Sequence, residues 1–117
     1  MCRILVVEDE GLIRMTILDA LQDAGFEVIE AASADEAMHI LDNQKIHFLF
    51  TDIQMPGKLN GIDLAHAMAK RFPDAGIIIA SGRLSAGDVD LPPHAEFHPK
   101  PYSLETIVSR LTSMLKK

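Results

Sequence analysis

Five short apolar runs punctuate the chain: RILVV at 3–7, EVIEA at 27–31, HFLFT at 47–51, GIIIA at 76–80 and AEFH at 95–98. They are too short for helices and rich in Val, Ile and Phe, so they read as strands. Between them the hydrophobic period changes. Leu12, Ile13, Thr16, Ile17, Ala20 and Leu21 stripe one helix between Gly11 and Ala24, closed by Gly25. Ser33, with Glu36 three residues on, opens a short second helix with Ala37, Met38 and Leu41 inward. Leu64, Ala65, Met68, Ala69 and Phe72 stripe a third, which stops before Pro73. From Ser103, an N-cap, Leu104, Ile107, Val108, Leu111 and Leu115 stripe the last, whose end carries Lys116 and Lys117. The stretch from Ser81 to Pro93 is broken by Gly82, Gly87, Pro92 and Pro93, which leaves room only for a short helix between Leu84 and Asp90.

Strands alternating with helices at this spacing predict an α/β fold, a doubly wound parallel sheet covered on both faces. Burial on both faces is why the strands are continuous apolar runs. At 117 residues the chain is expected to be one domain, 1–117, with no output domain attached. A formal net charge of -6 without clustered Lys and Arg argues against direct nucleic-acid binding. The single Cys2 cannot form an internal disulfide, and the apolar run Ile4 to Val7 is too short for a signal peptide or a membrane span. The expectation is a soluble cytoplasmic protein with no membrane contact. The five histidines and the scattered methionines form no pattern that reads as a metal site or a binding stripe.

In a doubly wound sheet the ligand crevice lies beyond the carboxyl ends of the strands. There the first strand delivers Glu8 and Asp9, the third Asp52, and the fourth Ser81, while Lys100 closely follows the fifth. Taken singly, these have ordinary explanations: Asp52 as a turn residue beside Pro and Gly, the acidic pair as a solvated loop, Lys100 as a surface charge. Together they converge on one edge. Crowded carboxylates ask for a divalent cation, and hard oxygen donors of this kind suit Mg²⁺. Lys100 and the Ser81 hydroxyl can both hold a phosphoryl oxygen, so the set outlines a phosphoryl-transfer site.

The acidic pair ED, TDIQMPG with Asp52, ASG with Ser81 and KP with Lys100, in this order, resemble the receiver domain of bacterial two-component response regulators. The resemblance covers essentially the whole chain. It implies a flavodoxin-like sheet in the order 2-1-3-4-5 with five helices, phosphorylated by a histidine kinase or a histidine phosphotransfer protein. It makes Asp52 the phosphoacceptor, with Asp9, Asp52 and the backbone carbonyl of Gln54 holding Mg²⁺ and Glu8 acting mainly through metal-bound water. Lys100 would neutralise the transferring group, and Ser81 would turn to the phosphoryl oxygen once it is in place. Phe97, three residues before Lys100, falls where the family has a rotating aromatic, and core packing explains it equally well.

Two departures stand out against the resemblance. MPGKLNG is one residue longer than the commonest form, and the span from Ser81 to Lys100 is shortened, so the fourth helix is expected to be short or irregular. That puts the family's usual dimerisation and output contacts in doubt. Gln54 and Arg83 lie where side chains tune the lifetime of the phosphoryl group. The expected function is a phosphorylation switch that acts on a downstream protein target as a monomer or weak dimer; the alternative is an interaction module that works without phosphorylation. A phosphatase with an aspartyl nucleophile would need a second carboxylate two residues on, where Gln54 stands.

Overall fold

The computed structural model describes residues 2–55, 57–82, 87 and 89–115. Five strands, β1 (Arg3–Val7), β2 (Glu27–Ala31), β3 (Phe48–Asp52), β4 (Gly76–Ser81) and β5 (Ala95–Pro99), form one sheet in the order β2-β1-β3-β4-β5. All four neighbouring pairs are parallel. The helices among the described residues are α1 (Gly11–Asp23), α2 (Ala34–Asn43), α3 (Gly61–Arg71) and α4 (Leu104–Leu115). The helix expected between Leu84 and Asp90 falls largely outside the described residues, as do Arg83 and the end at Lys116 and Lys117. The described count is therefore four helices where the resemblance implied five.

The uniform apolarity of the strands conceals a period of two. Leu5, Val7, Leu49, Ile77 and Ile79 face one layer with Ala34, Ala37 and Leu41 of α2 and Leu64, Ala65 and Met68 of α3. Ile4, Val6, Phe48, Phe50, Ile78 and Ala80 face the other, with Ile17 and Leu21 of α1 and Ile107 and Leu111 of α4. Each strand thus feeds two cores at once, as side chains alternating across a pleated sheet require.

Local chemistry sets the helix ends. Gly25, at φ 97°, closes α1 with its N–H on the Gln22 carbonyl, while the Phe26 N–H reaches Leu21, the paired bonds of a Schellman motif. The Ser33 hydroxyl accepts from the Glu36 N–H at 3.1 Å, but Glu36 reaches back to Ala32 rather than Ser33, so the expected capping box is offset by one residue. A full capping box opens α3 instead: Asn60 accepts from the N–H of Asp63, whose carboxylate accepts from the N–H of Asn60.

The α1 stripe is narrower than expected. Ile17 and Leu21 are buried, whereas Leu12 is 82% exposed and Thr16 is turned outward with its hydroxyl on the Leu12 carbonyl. Leu115, expected inward, is also exposed, one turn beyond the last buried residue of α4.

Candidate functional site

The sheet order reverses between β1 and β3, since the chain leaves β1 to build β2 on one side and returns to build β3 on the other. Val7 pairs with Thr51, so the next residues, Glu8 and Asp52, emerge side by side at that switch point. Asp52 pairs with Ala80, which brings Ser81 up one step further, and the Lys100 N–H donates to the Ser81 carbonyl at 2.9 Å just beyond β5. Register alone therefore gathers four of the expected residues, and Asp9 follows Glu8.

Asp52 is the final residue of β3, and its side chain is only 10% exposed. The expectation that β3 stops at Thr51 is corrected by one residue. Ladder pairing to Ala80 carries Asp52 into the strand, and the Ile53 N–H donates to its Oδ1 at 2.8 Å. Lys100 Nζ donates to Asp52 Oδ2 at 2.9 Å and lies 3.9 Å from Glu8 Oε2. Close approach of α3 steadies this strand end. Gly61 donates to the Ile53 carbonyl at 3.0 Å, and a Cβ at Gly61 would run into the backbone of Asp52 and Ile53.

One carboxylate oxygen from each of Glu8, Asp9 and Asp52 lies within 4.8 Å of the others. Glu8 and Asp52 are buried while Asp9 faces solvent. Burial, first of all, raises the Glu8 carboxyl to about 7; the Glu10 amide works against this, Asp52 and Asp9 add to it, and Lys100 opposes it. Lys100 shows the opposite balance. Burial acts against its charge, but the hydrogen bond and charge of Asp52, then Glu8 and Glu10, hold the ammonium above its ordinary value. Tyr102, edge-on to Phe50, is pushed up to about 12 by burial and by the nearby Glu8 and Asp52 charges.

Ser81 is fully buried and its hydroxyl donates to Gln54 Oε1 at 3.1 Å. Gln54 thus joins the site through its side chain, a contact that the expected carbonyl role did not suggest. Phe97 is half-buried in the middle of β5, opposite Ile79, and packs against the core layer shared with α2 and α3. Sequence reasoning missed Arg14, whose guanidinium donates to the Glu8 carbonyl at 2.7 Å. Its spacing of six residues from Glu8 is the sole signal, and on a helix surface an arginine reads as a solvated charge.

Residues 4–111 match the model of the response regulator receiver domain family. The sensor kinase CckA of Brucella abortus is 36% identical over 119 residues, covering 97% of this chain and 12% of the kinase. The response regulator receiver protein CpdR of the same organism is 32% identical over 118 residues, covering 98% of each chain. The chain thus corresponds to a small part of one relative and to nearly all of the other. Among solved structures, the response regulator TrrA from Thermotoga maritima, in complex with Mg²⁺ and BeF, superposes with a TM-score of 0.79 at 28% identity, covering 97% of this chain and 99% of that one. Register, site and likeness agree, and the chain belongs to the response regulator receiver domain family.

Proposed function

We propose that this receiver is a phosphorylation switch in which Asp52 accepts a phosphoryl group from a phosphohistidine. A carboxylate oxygen of Asp52 forms a bond to phosphorus as the bond from phosphorus to the imidazole nitrogen breaks, which leaves an acyl phosphate on Asp52 and a free histidine on the donor. The observation that carries this reading is the Lys100 ammonium, 2.9 Å from Asp52 Oδ2 beside two further carboxylates. Such a group offsets the charge of an incoming phosphoryl and follows it once the acyl phosphate forms. The Ile53 N–H on Oδ1 keeps the carboxylate aimed.

The donor set fits Mg²⁺: three carboxylates with oxygens within 4.8 Å of one another, hard donors with no nitrogen or sulfur among them. Asp9, Asp52 and the Gln54 carbonyl would hold the ion, with Glu8 acting through bound water. When bound, the ion neutralises charge shared between the carboxylates and the phosphoryl group. Ser81, now on Gln54, would exchange that bond for one to the phosphoryl oxygen, and Phe97 would read the change. The TrrA complex with Mg²⁺ and BeF supports this assignment by likeness.

The donor is a histidine kinase or a histidine phosphotransfer protein, the likeness to CckA being the support. The output is contact with a downstream protein, in the cytoplasm where such donors work. Among the described residues no helix is long and apolar enough to cross a membrane. Intact mass after incubation with acetyl phosphate and Mg²⁺, then with a histidine kinase as donor, tests the reading. One phosphoryl adduct is expected on wild type, lost with EDTA and absent from Asp52→Asn. A wild type silent towards both donors would favour a module that works without phosphorylation.

A further inference from the structure

The helix that follows the acidic pair has no side-chain cap of its own. Glu10, at the N-cap of α1, makes no side-chain capping bond, and the first turn of α1 holds no acidic side chain. Arg14, one turn into the helix, adds a tie of a different kind. Its backbone N–H donates to the Glu10 carbonyl at 2.9 Å, its Nη1 to the Glu8 carbonyl at 2.7 Å, and its Nε to the Glu30 carboxylate on β2 at 2.8 Å. The Arg14 side chain is 20% exposed. The Glu8 N–H meanwhile donates to the Ala31 carbonyl at 3.1 Å, and Glu8 Oε1 accepts from the Glu10 N–H at 3.1 Å. Both backbone groups of Glu8 and one of its carboxylate oxygens are thereby held.

The Glu30 carboxylate pairs with the guanidinium, but the same group also reaches a backbone carbonyl on the turn that carries the acidic pair. Glu8, Asp9 and Asp52 gather where a cation is wanted, and by charge alone a positive group held on that turn disfavours a second cation. We propose that Arg14 is a positioning residue for the metal: by tying the Glu8 carbonyl to β2 it fixes the turn from which Glu8 and Asp9 present their carboxylates to Mg²⁺. This rests on reading the acidic cluster as the Mg²⁺ site.

The two roles of Arg14 have opposite signs, which makes the proposal testable. An amide NMR titration with MgCl₂ compares wild type with Arg14→Gln. If Arg14 acted through charge, its removal would tighten Mg²⁺ binding; a positioning role weakens it, by about 10-fold in Kd, the scale of supporting contacts around metal ligands. In the metal-free variant the Glu10 amide is expected to exchange with solvent faster, while the core amide of Leu49 keeps its wild-type rate. Arg14→Lys, with its charge kept and one donor for the Glu8 carbonyl, is expected to recover part of both. A Kd for Arg14→Gln equal to or below that of wild type, or an unchanged Glu10 exchange rate, overturns the proposal.

Wild type gives a second reading that needs no variant to fold. The Arg14 Nε–H is expected to exchange slowly, and more slowly with Mg²⁺, because coupling between the two is reciprocal. Exchange at the rate of a solvated arginine overturns the clamp. Wild type that binds no Mg²⁺ overturns the site reading and the clamp with it, whereas wild type that binds normally beside an unaltered Arg14→Gln overturns the clamp alone.

Discussion

Glu8 is 3% exposed, next to a second buried carboxylate, and without a bound cation it is a liability to the fold. Its carboxyl is raised to about 7, so above that pH the metal-free protein carries a buried charge opposed by Asp52. Glu8→Gln keeps an acceptor for the Glu10 amide while removing that charge. The metal-free variant is expected to gain about 1–3 kcal/mol in urea unfolding above pH 7, and a loss of stability there would contradict the account. The acidic pair, Asp52, Ser81 and Lys100 were legible because each stands at or just past the end of an apolar run, where a polar residue breaks the pattern. Arg14 and the Ser81 to Gln54 contact were not, because each depends on which way a side chain turns after the fold has formed.

Helix ends and close approaches decide how firmly the elements present those residues. Gly61 shows this most sharply: an added Cβ would sit 2.9 Å from the Asp52 carbonyl carbon and from the Ile53 Cα, and closer still to the Asp52 oxygen. Gly61→Ala is expected to cost about 1–3 kcal/mol in denaturant unfolding and to slow phosphoryl uptake, because α3 would push on the strand end that aims Asp52. Wild-type stability and uptake would show that α3 can move away without penalty. On β5, Glu96 accepts two hydrogen bonds from Arg110 of α4, and these, ahead of a contact from His98, hold its carboxyl below its ordinary value of 4.5. A lowered carboxyl stabilises the fold above its unfolded pKa and loses that contribution as pH falls through the folded one. Glu96→Gln is therefore expected to unfold at lower urea than wild type at neutral pH, with the gap closing below pH 4.5; a gap that stays constant with pH would contradict the pairing. Strands and helices were legible from period and punctuation, to within a residue at β3, β4 and β5. The capping box of Asn60 and Asp63 was there to be read, but Pro56, Gly57 and Gly61 in the sequence around it obscure where the helix begins.

At the scale of the whole molecule, one parallel sheet with a core on each face is the mount that holds two buried carboxylates, Glu8 and Asp52, beside the exposed Asp9. The strand order is what converts four distant stretches of sequence into one site, because it sets Glu8 beside Asp52 and Ser81 beside Lys100. Apolar runs alone do not specify that order. It came from the family resemblance, and the hydrogen-bonded register now gives its physical basis. The measurement that tests the account most directly is reductive trapping: borohydride treatment of the phosphorylated wild type, followed by tandem mass spectrometry of its peptides. An acyl phosphate on Asp52 is reduced to homoserine, so homoserine at position 52, dependent on Mg²⁺, is the expected result. Intact aspartate at 52 with the phosphoryl group mapped to another residue would contradict the account.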